Sequence, residues 1–476
     1  MKIWNFEEFY NNTAIIDEYG KSLTYKDLED KCKDIGKLIG NRCLMLILCK
    51  NTIGSVLAYV SSINNSIVPM LFNSNVEMGL LKDIIDIYQP SYIWIPEDAK
   101  NELIEYIDTE VCSFFDYCLI KLRFSMNYSL NDELCLLLTT SGSTGSPKFV
   151  RQSYVNVKHN AQSIVKYLKL DDSERPVTTL PMNYTYGLSI INSHLLVGAT
   201  LLFTEKSIMQ KEFWRFFKVN NATSFAGVPY TYEMLDKLRF ERMTLPSLRY
   251  FTQAGGKLIP NLHKKFAEYA FENNKQFVVM YGQCEATARM GYLPAKMAVE
   301  KCGSMGIAIP GGKFSLIDVD GNIITEPMTA GELVYEGENV TMGYAECVND
   351  LIKGDERNGI LHTGDIAQFD EDGYYYIIGR SKRFLKIFGN RVNLDEVERL
   401  VKEKFENIDC ACAGVDDHLY LFVTPKNSYC EDELKQFIVY KTKINHIAIN
   451  VKVIAEIPKN DSGKILYKNF SEYYEN

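Results

Sequence analysis

The chain has 476 residues, of which 46% are hydrophobic and 24% are charged, and its formal net charge is -9. This length allows two or three domains with a large core, and the composition is that of an ordinary globular protein. The excess of negative charge argues against a general nucleic-acid binder, because phosphate backbones attract a basic face.

The sequence also disfavours secretion and membrane insertion. Its first residues, MKIWNFEEFYNN, contain no apolar run and hence no secretory signal. The longest apolar stretch, Cys43 to Cys49, is too short to span a bilayer. The twelve cysteines are scattered, with no C-x-x-C pair and no histidine at metal-ligand spacing. We therefore expect a protein of the reducing cytoplasm.

Short apolar runs alternate with helical patterns from Met1 to about Pro176. Predicted strands include residues 43–49, 67–72 and 92–95, and predicted helices include residues 24–38 and 77–88. Such alternation predicts α/β layers on a largely parallel sheet. A second set of the same kind runs from Val177 to about Leu293.

The pattern then changes to β-rich runs separated by turn signals, Asp320-Gly321 and Asp372-Gly373, which predict a small β-structure over residues 303–379. A basic patch, residues 380–386, precedes a tail with one helical pattern after Asn393 and strand-like runs at 410–415 and 419–423. The expected fold is α/β. A large N-terminal domain, residues 1–380, contains two α/β subdomains and the small β-subdomain. A small α+β C-terminal lid domain, residues 381–476, follows.

The segment TSGSTGSPK, Thr140 to Lys148, follows a predicted buried strand. Glycines let backbone amides turn toward one point, hydroxyls add donors, and a lysine ends the run, so the segment predicts a phosphate-binding loop. It is not a Walker loop, because Lys148 follows Pro147 and Phe149 stands where Ser or Thr is needed. A flexible linker is the alternative interpretation, although linkers seldom follow a buried strand directly. The candidate phosphate ligands are Thr140, Ser141, Gly142, Ser143, Thr144, Gly145 and Lys148.

Four further segments occur in an informative order. The first is Tyr281-Gly282-Gln283-Cys284-Glu285, whose aromatic ring can stack on a base and whose carboxylate can hold Mg²⁺. Next comes His362-Thr363-Gly364-Asp365, whose carboxylate suits ribose hydroxyls. The remaining two are Gly379-Arg380-Ser381-Lys382 and the loop from Pro458 to Lys464. Each segment alone also fits an ordinary turn or surface loop.

Together the five segments resemble the adenylate-forming (AMP-binding) superfamily, which includes acyl-CoA synthetases, firefly luciferase and nonribosomal-peptide adenylation domains. The resemblance covers essentially the whole chain and is closest to acyl-CoA synthetases and carrier-protein acyl ligases. It implies that a carboxylate attacks the α-phosphorus of ATP, and that a thiol then displaces AMP from the acyl-adenylate. It also implies ATP, Mg²⁺ and either coenzyme A or a phosphopantetheine arm as cofactors.

The resemblance also implies individual roles. Lys464 is expected to stabilise adenylation, Glu285 to bind the metal and phosphates, and Lys382 to serve as the hinge of the lid. Asp365 and Arg380 are expected to hold the ribose. The other expected nucleotide contacts, besides the phosphate loop, are Gly255 and Gly256, with Tyr281 along the adenine, and Gly282, Gln283 and Cys284.

Substrate class is inferred from Tyr184, Tyr186 and Gly187. Amino-acid-activating relatives carry an aspartate near this place, so a simple or apolar carboxylic acid is favoured over an α-amino acid. A carrier-protein loading ligase for an acyl or amino acid remains an alternative function. Coenzyme A is favoured over a carrier protein as acceptor, with Arg383 and Lys386 as the candidate contacts for its 3′-phosphate or for an acidic carrier surface.

Two residues depart from the family pattern. Phe149 replaces a glycine after the loop lysine and is expected to stiffen or reshape the loop. Cys284 replaces a phosphate-facing threonine, and a thiol is a weaker donor than a hydroxyl. A catalytically degenerate nucleotide-binding homologue is therefore a third possibility.

Overall fold

The computed structural model describes residues 3–124, 127–139, 148–380, 383–388, 390–405, 408–425, 429–460 and 465–474. The α-helices in these ranges are α1 Tyr25–Ile39, α2 Ile53–Asn64, α3 Met78–Tyr88, α4 Tyr154–Leu168, α5 Thr185–Leu196, α6 Lys211–Val219, α7 Pro229–Lys237, α8 Pro260–Glu272, α9 Leu394–Lys404 and α10 Glu431–Thr442.

The strands of the first part of the chain are β1 Thr13–Asp17, β2 Ser22–Thr24, β3 Leu44–Cys49, β4 Val68–Asn73, β5 Tyr92–Pro96, β6 Ile107–Phe114, β7 Tyr117–Leu122, β8 Leu134–Thr139, β9 Phe149–Ser153, β10 Leu201–Phe203, β11 Ser224–Gly227, β12 Tyr250–Gln253 and β13 Gln276–Tyr281. The later strands are β14 Gly291–Tyr292, β15 Ile307–Ala308, β16 Gly312–Ile317, β17 Gly331–Gly337, β18 Gly343–Ala345, β19 Ile360–Phe369, β20 Tyr375–Arg380, β21 Phe384–Ile387, β22 Asn390–Asn393, β23 Cys410–Val415, β24 His418–Val423 and β25 Ile449–Val453.

Capping chemistry starts several helices where the sequence predicts them. The Thr24 hydroxyl accepts a hydrogen bond from the Asp27 amide at 3.0 Å, and the Asp27 carboxylate accepts one from the Thr24 amide. Asn393 caps α9 by accepting from the Asp395 amide at 3.0 Å. These side chains satisfy amides that have no partner within the helix. The predicted helices at residues 24–38 and 77–88 are confirmed to within one residue at each end, and the helical pattern predicted after Asn393 is confirmed as α9.

The largest sheet has eight strands in the order β18-β9-β8-β4-β3-β5-β7-β6. Only its centre, β8-β4-β3-β5, is parallel, and the remaining pairs are antiparallel. The expectation of a largely parallel sheet was therefore wrong for its outer strands. The physical reason is connection length, since β6 and β7, like β8 and β9, follow each other through short loops, and parallel neighbours need a long crossover.

A second sheet, β11-β12-β13-β14-β15, is parallel from β11 to β13. A small third sheet, β10-β1-β2, joins the beginning of the chain to this second α/β set. The predicted β-structure after residue 303 is present as the antiparallel sheet β16-β17-β19-β20.

The short strand β18 departs from the predicted β-structure and pairs with β9 of the first sheet. Arg151 on β9 has a fully buried side chain that donates to the carbonyl oxygens of Tyr344 at 3.0 Å and Met342 at 3.1 Å. Its guanidinium also pairs with Glu356 at 2.6 Å. The Arg151 guanidinium therefore provides hydrogen-bond donors for backbone carbonyls of the segment that crosses from one sheet to the other. Because these partners lie far from Arg151 in the chain, no local sequence pattern predicts this arrangement.

The tail has a hydrophobic core of its own. Its β23-β24-β25 sheet packs against α9 and α10 around buried side chains such as Val401 and Leu421. A second small cluster around Phe422 and Phe470 covers the other face of that sheet. In the part of the chain that the structure describes, no helix has both the length and the apolar character needed to cross a bilayer.

Two buried histidines make the fold sensitive to acid. His263 on α8 is 1% exposed, with Nε2 2.9 Å from the Ala298 carbonyl and Nδ1 accepting from the Gly303 amide at 3.3 Å. This pairing requires the neutral ring, and burial lowers the pKa of His263 from 6.5 to about 4. Burial likewise lowers the pKa of His194 on α5 to about 4.

In the unfolded chain the His263 side chain takes up a proton near pH 6.5. In the folded protein it stays neutral until about pH 4. We therefore expect the free energy of unfolding to fall as the pH drops through this window, with His263 contributing up to about 3 kcal/mol of the loss. His263→Gln should flatten the dependence measured by urea unfolding across that range. The exposed His446→Gln is the control, and an equal slope in all three proteins would refute this assignment.

Candidate active site

The hairpin that carries the predicted phosphate loop closes between β8 and β9, where Thr139 pairs with Phe149. Thr140, Ser141, Gly142, Ser143, Thr144 and Gly145 lie outside the described residues, as do Lys382 and Lys464. The Cys284 Sγ lies 3.9 Å from the Thr139 carbonyl oxygen. The segment after β13 therefore touches the base of the loop after β8.

Lys148 and Glu285 contact opposite parts of one side chain, that of Tyr344 on β18. The Lys148 Nζ lies 3.9 Å from the centre of the Tyr344 ring, and the Tyr344 hydroxyl donates to Glu285 Oε1 at 2.7 Å. Arg357 stacks on the same ring at 4.6 Å and donates to the Glu285 carbonyl at 3.2 Å. Burial, and then the Glu285 charge, raise the pKa of Tyr344, so its hydroxyl remains a donor. Tyr344 thus positions the candidate metal-binding carboxylate beside the loop lysine.

The predicted ribose residues are adjacent. Asp365 on β19 is 3% exposed and pairs across the sheet with Arg380 on β20, whose Nε lies 3.2 Å from Asp365 Oδ1. The other carboxylate oxygen accepts from Gln283 Nε2 at 3.0 Å and from the Tyr281 hydroxyl. Three donors therefore hold the Asp365 carboxylate in the middle of β19, where it is a suitable acceptor for vicinal hydroxyls.

Tyr281 has a role beyond its predicted ring contact with a base. Burial and the Asp365 charge raise the pKa of Tyr281 well above its ordinary value, so the hydroxyl stays protonated and donates to Asp365. Its ring meets Phe314 edge to face with centroids 6.3 Å apart. Tyr281 therefore links the second parallel set to the antiparallel sheet.

Two of the predicted glycines are required, Gly282 by a close backbone approach and Gly255 by its positive φ and a close side chain. A Cβ on Gly282 would lie 1.6 Å from the Ala288 carbonyl oxygen. Gly255 has φ +83°, and a Cβ there would lie 2.6 Å from the Tyr184 hydroxyl. Tyr184, which was predicted for the substrate pocket, therefore lies against Gly255, which was predicted to border the adenine. Gly256 follows and accepts from Gln253 Nε2 at 2.8 Å through its carbonyl.

The predicted substrate residues lie at the start of α5. Tyr186 is 3% exposed, its hydroxyl lies 2.7 Å from the Thr252 hydroxyl, and its ring meets Tyr184 edge to face at 6.2 Å. A Cβ on Gly187 would lie 2.3 Å from the Pro181 carbonyl oxygen, so this helix turn packs directly on the preceding backbone. Tyr186 therefore forms a rigid wall, because its polar atom is already bonded.

Sequence reasoning missed Arg289, whose guanidinium lies 5.0 Å from the centre of the Tyr186 ring. The sequence feature that could have indicated Arg289 is that it is the one charged residue between Ala288 and Leu293, shortly after the segment Tyr281–Glu285.

The expected role of Arg383 was wrong. Arg383 is 9% exposed and donates to Asp395 at 2.8 Å and to Glu398 at 2.6 Å, with the Tyr467 ring stacked on it at 3.6 Å. Despite burial, the two carboxylates raise the pKa of Arg383. This ion network joins β21 to α9 and leaves the guanidinium unable to meet a phosphate. Lys386 is exposed and remains a candidate.

Lys459, in the last part of the C-terminal domain, lies close to α7 of the N-terminal domain. Lys459 pairs with Asp409 at 3.1 Å and lies 5.7 Å from the ring of Tyr230 on α7. Next to Tyr230, Pro229 is the nearest neighbour of Gly256, 3.1 Å from where a Cβ on that glycine would stand. The loop that continues toward Lys464 therefore starts beside the Gly255–Gly256 segment.

Residues 4–345 match the AMP-binding enzyme family. Since this match covers well over half of the chain, the protein belongs to the AMP-binding enzyme family. The first two motif segments, Thr140–Lys148 and Tyr281–Glu285, lie within the matched residues, and the other three follow them in the chain.

Curated relatives include a probable CoA ligase, CCL9, of Humulus lupulus, 27% identical over 72% of this chain and 66% of the relative, slightly less than two thirds of its length. The oxalate–CoA ligase of Arabidopsis thaliana is 28% identical over 72% of this chain and 68% of the relative. A 2-succinylbenzoate–CoA ligase of Bacillus mycoides is 25% identical over 80% of this chain and 81% of the relative.

Among solved structures, o-succinylbenzoate CoA synthetase from Bacillus subtilis, in complex with its acyl-adenylate intermediate, has a TM-score of 0.79 at 20% identity, covering 96% of this chain and 95% of that chain. ATP-bound MatB from Rhodopseudomonas palustris has a TM-score of 0.79 at 18% identity, covering 99% and 98%. These similarities confirm the α/β fold expected from the sequence.

Tyr344→Phe tests whether Tyr344 positions Glu285. Loss of a hydrogen bond to a carboxylate should weaken the metal and phosphate site, raising the Mg²⁺ concentration needed for half-maximal ATP–pyrophosphate exchange by about tenfold. Tyr106→Phe is the matched control, because Tyr106 donates to Asp86 at 3.1 Å outside the site. An unchanged Mg²⁺ dependence in Tyr344→Phe would show that Tyr344 does not position Glu285.

Proposed function

We propose that the protein is an AMP-forming acid–thiol ligase, which activates a small carboxylic acid with ATP and transfers the acyl group to coenzyme A. One observation carries the proposal: described residues of four of the five motif segments lie in contact, directly or through a neighbouring residue, and among them Arg380 pairs with Asp365. Cys284 touches Thr139, Tyr344 joins Lys148 to Glu285, and Tyr281 donates to Asp365.

In this proposal the nucleotide lies along those contacts. Asp365 accepts the ribose hydroxyls with Arg380 beside it, and Gly255, Gly256 and Tyr281 border the adenine. Gly282, Gln283 and Cys284 continue toward the phosphates. The phosphates meet the loop from Thr140 to Gly145 together with Lys148.

Glu285 fits a magnesium site. Mg²⁺ is usually bound by one or two carboxylates together with substrate phosphates, rather than by a full protein cage. Glu285 is half-buried, and Tyr344 donates to one of its two oxygens. Among the described residues no group of three or more histidine, cysteine or carboxylate side chains gathers around a metal position. When bound, the ion would neutralise phosphate charge.

The acid, held by Tyr184, Tyr186 and Gly187, attacks the α-phosphorus through a carboxylate oxygen, and the bond to pyrophosphate breaks. Lys464 stabilises the charge that develops on the phosphate oxygens. A thiol then loses its proton and attacks the acyl carbonyl, and AMP leaves. Lys382 lets the C-terminal domain, residues 381–476, turn on the N-terminal domain, residues 1–380, between these steps. The contact of Lys459 with Tyr230, which follows the Gly256 neighbour Pro229, supports a role for the segment Pro458–Lys464 at the nucleotide.

The names of the relatives support coenzyme A as acceptor, because the curated relatives described above are CoA ligases. A carrier-protein arm, and with it loading of an acyl or amino acid, is the second candidate acceptor. A cytoplasmic location is part of the proposal. It is supported by the absence of disulfides among the twelve cysteines, all of which lie in described ranges.

The degenerate-homologue alternative rested on Phe149 and Cys284. Phe149 starts β9 and is fully buried, with its ring 5.5 Å from Phe72 and 5.0 Å from Tyr88. The aromatic ring therefore fills the core behind the loop, and the departure is accommodated by packing. Glu285, Asp365 and Arg380 are all in place, which supports a working enzyme.

Lys464→Ala tests the adenylation role. Because this lysine should meet charge only in the transition state, the substitution should lower ATP–pyrophosphate exchange by a factor of about a thousand or more, with ATP binding little changed. Thioester formation from supplied acyl-adenylate should largely survive. The exposed Lys468→Ala is the control on the same segment. Normal exchange by Lys464→Ala would refute the role.

Lys386→Glu tests the acceptor. Reversing a charge beside the 3′-phosphate should raise the KM for coenzyme A about three- to tenfold, and more at low salt. Dephospho-coenzyme A lacks that phosphate and should be insensitive to the substitution. Transfer from acyl-adenylate to a carrier protein, with none to coenzyme A, would make the carrier protein the acceptor.

A further inference from the structure

Arg289 is a buried cation with an incomplete set of partners. It is 3% exposed and lies two residues before β14. Its Nε donates to the Ser189 hydroxyl at 3.1 Å, and Nη1 donates to the Tyr167 hydroxyl at 2.8 Å and contacts the Met280 sulfur at 3.0 Å.

A guanidinium has five N–H donors, and these contacts use three of them, one on a weak sulfur acceptor. The two donors on Nη2 have no hydrogen-bond acceptor among the described residues, and no described carboxylate forms an ion pair with Arg289. The buried Arg151 and Arg383, by contrast, each pair with a carboxylate. Burying an unpaired charge is unfavourable, so the position favours an anion.

The surroundings of Arg289 add no negative charge. Its guanidinium faces the Tyr186 ring, and Tyr167 beside it stacks on Tyr292 with centroids 4.3 Å apart. Burial lowers the pKa of His194 to about 4, and Arg289 contributes to this shift, so His194 is neutral and adds no second cation.

Backbone strain fixes Arg289 in this place. Ala288 has φ +96° and Thr287 has φ +53°, conformations that cost energy for residues with a side chain. The Ala288 carbonyl packs on Gly282. The strained turn therefore holds Arg289 against the segment predicted to bind nucleotide.

A small polar cavity adjoins the cation through Ser189. It is lined by Gln152, Val157, Asn160, Ala161, Thr185, Leu188, Ser189, Asn192 and Thr287. The Gln152 side chain is 1% exposed, and both its amide oxygen and its amide nitrogen lack a hydrogen-bond partner among the described residues. Ser189 both contacts the cation and lines the cavity with Gln152, and unpaired polar groups of this kind suit a polar ligand better than an alkyl chain.

We propose that Arg289 is a specificity-determining residue that pairs with a second carboxylate of the substrate, so that the preferred acid is a dicarboxylic acid. The inference rests on the proposed ligase function and names the substrate class of that site. One carboxylate reacts with ATP while the other, unreacted, accepts hydrogen bonds from the guanidinium. Tyr186, at the start of α5, forms the wall that both ends of the acid share.

The test compares each dicarboxylic acid with its own monoamide, which has the same size and one charge fewer. Straight-chain and benzene dicarboxylic acids and their monoamides serve as substrates for ATP–pyrophosphate exchange. Titration calorimetry measures their binding without turnover. The proteins are wild type, Arg289→Gln and Arg289→Lys, with Arg249→Gln as a control whose guanidinium donates to Ser173 outside the pocket.

We expect the wild type to prefer at least one dicarboxylic acid over its monoamide by about a hundredfold in kcat/KM, since removing one partner of a buried charge pair has effects of this size. Arg289→Gln should lose this preference while retaining use of the monoamide, and Arg289→Lys should keep part of it. The comparison of substrates in the wild type decides the question even if Arg289→Gln does not fold.

Equal use and equal binding of the diacid and its monoamide by the wild type would overturn the inference. A loss in Arg289→Gln that is the same for both substrates would also overturn it, because Arg289 would then serve the reacting carboxylate or the fold. Diacid binding that depends on Arg289, without any exchange, would preserve the anion site and refute the ligase function. Neither binding nor exchange with any acid would refute both.

Discussion

The site depends on the close packing of the connection between β13 and β14, in which Gly282 contacts Ala288. The Ala288 carbonyl lies where a Cβ of residue 282 would stand, so only glycine permits this packing. Once the turn closes, Glu285 projects toward Tyr344 and Arg289 toward Tyr186 on α5. Under the proposed function, one short segment thus supplies a carboxylate to the nucleotide and a cation to the acid substrate.

Neutral tyrosine hydroxyls position the two important carboxylates of the site. Tyr281 donates to Asp365 and Tyr344 donates to Glu285. Burial raises the pKa of each tyrosine, which keeps both hydroxyls protonated and donating. A lysine in the same place would fix a carboxylate but cancel its charge. A phenol orients the carboxylate and leaves its charge available to a metal ion or to ribose hydroxyls.

Buried arginines show how tertiary pairing separates structural from functional cations. Arg151 neutralises Glu356 and satisfies the backbone at the junction of two sheets. Arg383 binds Asp395 and Glu398 and stabilises the start of the tail domain. Arg289 differs, because the hydrogen-bond partners of its side chain among the described residues are two hydroxyls and a sulfur. Arg151 and Arg289 look alike in sequence, as single basic residues each with an apolar neighbour, whereas Arg383 lies in the basic patch of residues 380–386.

Much of the fold followed from local chemistry. Apolar runs set the buried strands β3 and β8, capping residues such as Thr24 and Asn393 set the helix starts, and Asp-Gly turns marked the antiparallel sheet. The order of the five segments was sufficient to indicate the adenylate-forming family, which the match over residues 4–345 confirms. These features depend on residues close together in the chain, so the sequence carries them directly.

Tertiary structure decided what depends on distant partners. The pairing of β18 with β9, the burial of Phe149 behind the loop and the withdrawal of Arg383 into an ion network each join residues far apart in sequence. The same holds for Tyr344, whose ring brings Lys148 and Glu285 together across more than a hundred residues. The sequence alone determined which functional groups the protein contains and the order of the motif segments along the chain. Only the folded chain determined which charges are neutralised, because pairing in a core depends on proximity in space rather than along the chain.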